Sequence, residues 1–160
     1  RPRGLPIGNL TSQFWANCFL NPIDHFIKRE LRCKGYLRYV DDFLLFHDNK
    51  KVLWQWKQKI IKRLQSLRLK IHENKANVRP VNQGIPFLGF TIFPTHRRLK
   101  RQKGIYYQRK LKKMMKAYHQ NEVSFEKVDA SVQGWINHVR YGNTYGLRRK
   151  LFNSFVLSKG

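Results

Sequence analysis

The sequence predicts an α+β chain: a mostly antiparallel sheet with helices over residues 1–95, then a small, basic, all-α unit over residues 96–160. Three observations predict it. Segments with helical and strand periodicity alternate as far as Phe93. Two adjacent carboxylates, Asp41 and Asp42, break the apolar run from Leu37 to Phe46 into two short strands and a turn. After Pro94 the composition shifts: no acid occurs between Thr95 and Lys116, and the apolar spacing becomes helical.

The elements follow in order. Arg3 to Gln13 is punctuated by Gly and Pro, and Thr11 or Ser12 is the expected N-cap of the first helix. Ala16, Leu20, Ile23, Ile27 and Leu31 recur at spacings of three and four, and Pro22 is expected to kink or restart that helix. Gly35 closes the segment ahead of the acidic hairpin. Asp48 or Asn49 then caps a second helix whose apolar face is Leu53, Trp56, Ile60, Leu64 and Leu67. The charged stretch Lys70 to Arg79 is expected to hold a short strand around Ile71, and Gly84 to Phe93 reads as a hairpin or strand pair. A domain boundary is placed at 95–104. Beyond it come a basic helix around Gln108–His119, a helix with Val132, Trp135, Ile136 and Val139 on one face, and a last helix marked by Leu147, Leu151, Phe152 and Phe155. Gly142 is the expected C′ residue of the middle one.

Charge narrows the function. Lys and Arg number 33 against 9 Asp and Glu, a net charge of +24, far beyond what solubility needs. The excess implies a polyanionic partner, with nucleic acid favoured over an anionic membrane. No apolar stretch reaches the roughly 18 residues needed to span a bilayer, and no segment resembles a secretion signal. Cys18 and Cys33 show no metal spacing, and Cys18 is expected in the core; a reducing compartment fits. The six histidines show no metal spacing either.

With so few acids, Asp41-Asp42 is informative. A turn tolerates Asp because its side chain bonds nearby backbone, which is one reading. The other is that a divalent cation compensates the two charges. Mg²⁺ prefers carboxylate oxygens, and beside nucleic acid it serves phosphoryl transfer.

Tyr39-Val40-Asp41-Asp42 resembles the YxDD box of reverse transcriptases. Gly4-Leu5-Pro6-Ile7-Gly8-Asn9-Leu10-Thr11-Ser12-Gln13 resembles the nucleotide- and template-contacting motif ahead of that box, and Phe87-Leu88-Gly89-Phe90 the primer-grip hairpin. Lys75 sits where the family has a lysine in the preceding motif. Ser131 to Arg148, with Gly134-Trp135, His138 and Gly142-Asn143-Thr144-Tyr145-Gly146-Leu147-Arg148, looks like the thumb of bacterial enzymes. The resemblance spans essentially the whole chain, as a partial polymerase palm over 1–95 and a helical thumb over 96–160.

The resemblance implies an RNA-directed DNA polymerase that binds template RNA, a primer or cDNA strand and dNTP. It implies Asp41 as a ligand of two Mg²⁺ ions and Asp42 as the secondary ligand, the ions being shared with an upstream carboxylate outside these residues. Lys75 would protonate the departing pyrophosphate or only attract phosphate, the other reading being a solvated surface lysine. Ile7, Gly8, Asn9, Ser12, Gln13 and Tyr39 would meet nucleotide and template, and Phe87, Leu88, Gly89 and Phe90, as one hairpin, the primer. The other readings are a simple loop glycine at Gly8, a solvent-facing Gln13 and plain core strand for Phe87, Leu88 and Phe90. Arg97, Arg98, Arg101, Arg109, Lys112 and Lys113 would track nucleic-acid backbone. Tyr106 and Tyr107 either stack on nucleic acid or are core. The fingers and the N-terminal palm half are further implied partners, so the chain is expected to be a C-terminal portion, inactive in isolation. A cytoplasmic, prokaryotic or phage-encoded enzyme is expected, with no membrane partner.

Group II intron enzymes carry Gln-Gly-x-x-x-Ser-Pro at the template motif; here Ile7 replaces the Gln and Gln13 the Pro. That variant resembles the reverse transcriptases of diversity-generating retroelements, which copy a template RNA with errors at adenines, and a basic accessory protein would then join the partners. The alternatives are an intron maturase-type reverse transcriptase and a non-catalytic RNA-binding module on the same scaffold.

Overall fold

The α+β architecture is the one expected. The structure, a computed structural model, describes residues 9–155. The chain divides into two units, Arg1–Val78 and Arg79–Gly160. The compositional boundary placed at 95–104 falls inside the second unit, because strands on either side of Pro94 pair with one another.

In the first unit, α1 (Leu10–His25) leads to the β1 (Gly35–Tyr39) and β2 (Asp42–Phe46) hairpin, followed by α2 (Lys50–Ser66). Asn9, rather than Thr11 or Ser12, caps α1: its Oδ1 accepts from the Thr11 N–H at 3.2 Å and from the Thr11 hydroxyl at 3.0 Å. Pro22 does not break the helix. An interior proline costs about 3 kcal/mol, but burying Ile23, Ile27 and Leu31 stabilises by about 1.5–3 kcal/mol each. Phe26–Glu30 continue the helix as a wider π-type turn, in which the Leu31 N–H donates to the Phe26 carbonyl at 3.0 Å. Spacings of four drift by about 40° per step on an α-helix, and the wider turn keeps Ile27 and Leu31 facing the core.

Asn49 caps α2 as expected, accepting from the Lys51 N–H at 2.8 Å. Ile60 and Leu64 join Ile23, Ile27, Leu31 and Cys33 in one core, with Leu20, Tyr36, Phe43, Leu45 and Trp56 packed around it. Two expectations fail here. Cys18 is exposed, because Phe14, Trp15 and Phe19, its apolar neighbours, also stand on the open side of α1. No strand forms around Ile71; the segment after α2 is irregular, and Ile71 packs against the core.

In the second unit, β3 (Ile85–Phe87), β4 (Phe90–Ile92) and β5 (Arg97–Leu99) form an antiparallel meander, followed by α3 (Arg101–His119), α4 (Phe125–Val139) and α5 (Tyr145–Phe152). Strand β5 was not expected, and α3 begins seven residues before Gln108, running through Gly104. Tyr107, Leu111, Met115, Val128 and Leu151 make the core, where the Tyr107 ring stacks on Trp135 at 4.3 Å. Gly142 lies past the end of α4, but close approach explains it better than capping does. A Cβ there would stand 2.8 Å from the Phe90 ring and 3.1 Å from the Arg97 carbonyl. Among the described residues no helix is long and apolar enough to cross a membrane.

Candidate functional site

The β1–β2 ladder closes on the pair Tyr39 and Asp42, so the turn holds only Val40 and Asp41. Asp42 is therefore the first strand residue, not a turn residue. Two-residue hairpin loops need φ > 0 at the first central position, a place suited to Gly. Val40 occupies it with φ +56°. For a β-branched residue this conformation costs on the order of 1–3 kcal/mol.

Arg38 offsets that cost. Its Nη1 donates to the Val40 carbonyl and to Asn17 Oδ1, both at 2.8 Å. Its Nε and Nη2 donate to Asp24 Oδ1 and Oδ2 at 2.8 and 2.5 Å. Tyr36 adds a bond from its hydroxyl to Asp24 Oδ1 at 2.6 Å. Hydrogen bonds of a charged donor contribute about 1.5–3 kcal/mol each, comparable to the strain. Burial works to raise the Asp24 pKa, but the bonds from Arg38 and Tyr36 and the Arg38 charge outweigh it, so the carboxyl lies below its ordinary range. Burial, then the hydrogen bond to Asp24 and its charge, push the Tyr36 phenol up. Asp24 and Arg38 were not among the residues the sequence pointed to. The available signal was an arginine inside an apolar strand and an acid seven residues from Asn17 on one helix face.

Asp41 and Asp42 are exposed, and among the described residues neither carboxylate has a hydrogen bond or ion pair. Strand alternation puts Asp42 with Tyr39 on the face opposite Arg38, so the arginine does not neutralise it. Adjacent, uncompensated, oxygen-only donors suit a hard cation such as Mg²⁺. Among the described residues no third His, Cys, Asp or Glu gathers with them.

The other candidates are spread along the first unit. Ile7 and Gly8 lie outside the described residues. The Asn9 side chain is committed to its cap. Ser12 is half-buried in the first turn of α1, its N–H donating to the Asn9 carbonyl at 3.1 Å. Gln13 is exposed one turn before Asn17, on the side of α1 that meets Arg38 and about 6 Å along the axis. Tyr39 is 58 % exposed beside Asp42. Lys75 is exposed in the irregular segment after α2, lining a shallow cleft with Ile71, His72, Glu73 and Asn74.

In the second unit, Leu88 and Gly89 form a two-residue turn with φ +46° and +86°. Leu88 is 42 % exposed, whereas Phe90 is 7 % exposed and its ring lies 5.3 Å from that of His138. Of the four hairpin residues, the turn is thus open and Phe90 is core. Arg97, Arg98, Arg101, Arg109, Lys112 and Lys113 are all exposed. Arg97 and Arg98 are neighbours on β5 and point to opposite faces, with Arg98 over the Phe93 ring at 5.3 Å. Spacings of three and four put Arg109, Lys112 and Lys113 on one side of α3, opposite Tyr107, Leu111 and Met115. Tyr107 is core, its hydroxyl donating to the Ser131 carbonyl at 3.1 Å, while Tyr106 is exposed.

A family model described as reverse transcriptase (RNA-dependent DNA polymerase) matches residues 1–92, more than half of the chain. The match takes in both the Asp41–Asp42 hairpin and the Phe87–Phe90 hairpin. No curated protein matches the chain.

Proposed function

The chain belongs to the reverse transcriptase family, and on that premise we propose that it carries the carboxylate hairpin and the basic helical unit of an RNA-directed DNA polymerase. The observation that carries this reading is the exposed, uncompensated Asp41-Asp42 pair in a chain of net charge +24. A surface built only to bind RNA gains nothing from two carboxylates beside phosphates, which weighs against a non-catalytic module.

Nucleotidyl transfer joins a primer 3′-hydroxyl to the α-phosphorus of a dNTP and releases pyrophosphate. When bound, Mg²⁺ supplies Lewis-acid activation of the attacking oxygen and charge neutralisation on the leaving group. Asp41, the second residue of the turn, offers the carboxylate that both ions would share. Asp42, fixed by the last rung of the ladder, offers a second donor from the face it shares with Tyr39. Gln13 and Tyr39, both exposed in the first unit, would meet a template base or sugar. Lys75, exposed in the segment after α2, would meet the departing pyrophosphate. The basic side of α3, with Arg109, Lys112 and Lys113, meets backbone phosphates without reading sequence. The test is primer extension on an RNA template by the full-length protein: extension in Mg²⁺ and its loss on chelation are expected.

The finer assignment, an error-prone enzyme of a diversity-generating retroelement, rests on Ile7 and Gln13 at the template motif. An apolar Ile7 cannot offer a glutamine's hydrogen bonds to the nascent pair. Sequencing of cDNA made by Ile7→Gln should then show fewer misincorporations opposite template adenines, and equal error spectra would remove the support for that subfamily.

A further inference from the structure

We infer that Arg38 is a positioning residue for the Asp41 carboxylate, holding the turn that carries it to α1 through Asp24 and Asn17; this rests on the polymerase reading above. The acceptor that Arg38 holds at 2.8 Å is the Val40 carbonyl. That oxygen belongs to the peptide plane that also contains the Asp41 nitrogen and leads to the Asp41 Cα. Fixing it fixes the direction in which the Asp41 side chain leaves the turn.

The geometry needs an arginine. One planar group donates to Val40 and Asn17 from Nη1 and to both Asp24 oxygens from Nε and Nη2, so it ties turn to helix in a single plane. An ammonium group has no fixed fork and cannot reproduce that set. Asp24 is in turn held by the Tyr36 hydroxyl at 2.6 Å, from the same face of β1. Arg38 and Asp42 lie on opposite faces of the hairpin, so Arg38 acts through backbone and not by contact with substrate or cation.

The strained residue supplies the discriminating test. Glycine takes positive φ without the penalty that Val40 bears, so it relaxes the turn that Arg38 restrains. In the full-length protein, Arg38→Gln should raise hydrogen–deuterium exchange over residues 39–42 and weaken binding of Tb³⁺, a luminescent probe of the cation site. It should also lower kcat for primer extension by about tenfold to a hundredfold with little change in KM for dNTP. Adding Val40→Gly to Arg38→Gln should recover part of the kcat and the Tb³⁺ affinity. Arg38→Lys, which keeps the charge beside Asp24, should fall between wild type and Arg38→Gln and serves if Arg38→Gln does not fold. Wild-type kcat and Tb³⁺ affinity in a folded Arg38 variant would overturn the inference, as would a double variant no better than Arg38→Gln alone. If instead the wild type shows no Mg²⁺-dependent extension, the polymerase reading fails, while exchange and Tb³⁺ binding still decide what Arg38 does.

Discussion

Tyr39 and Asp42 face one another across the last rung of the β1–β2 ladder, and this leaves Val40 and Asp41 as the two residues of the turn. The two carboxylates are therefore held differently although they are adjacent in sequence. Asp41 depends on turn geometry, whereas Asp42 is set by strand pairing.

That difference predicts unequal effects of removing each charge. Asp42→Asn keeps the ladder and, on the proposed reading, loses one secondary donor to the cations. Extension should fall but remain measurable, at about tenfold to a hundredfold below wild type. Steady-state kinetics at saturating Mg²⁺ check this; activity as high as wild type would remove Asp42 from the site.

Acid should weaken the first unit through Asp24. Its carboxyl is lowered in the folded state by Arg38 and Tyr36 against the opposing effect of burial. A lowered folded pKa means the stabilisation is fully present above the ordinary carboxylate range and is lost as pH falls through that range toward the folded value. Asp24→Asn has no such titration. Its deficit relative to wild type, measured by urea unfolding, should be constant near neutrality and shrink on acidification. A deficit independent of pH would show that the Asp24 charge does not contribute.

The basic side of α3 should govern salt dependence. Charge reversal at Arg109, Lys112 and Lys113 should weaken template–primer binding across sequences. It should also flatten the log–log salt slope by up to about 0.9 for each phosphate no longer neutralised. Binding isotherms over a range of salt concentrations read this directly. An unchanged slope would place these residues away from the nucleic acid.

Much of the fold was legible because it is local. The acidic hairpin, the Asn49 cap, the face of α2 and the Val132–Val139 face of α4 all follow from period and capping chemistry. The Arg38–Asp24 pair joins residues fourteen apart through tertiary packing, which no local pattern encodes. Strand β5 has little sequence signal because both its arginines are exposed, leaving only Leu99 to suggest burial. Cys18 is exposed rather than in the core because α1 carries apolar residues on more than one side, and sequence alone does not say which side is covered. At the candidate site, Asp41 and Asp42 were legible as adjacent carboxylates between two strands. What holds Asp41 in place was not, since it runs through a backbone carbonyl.

The most direct measurement is primer extension on an RNA template by the full-length protein carrying Asp41→Asn, together with its affinity for the template–primer. Removing a negative charge beside phosphates cannot weaken electrostatic attraction, but on the proposed reading it removes the carboxylate that the two ions would share. Extension should disappear while affinity stays the same or tightens slightly. An Asp41→Asn protein that extends at near the wild-type rate would make the hairpin a structural turn and contradict a polymerase site at its tip.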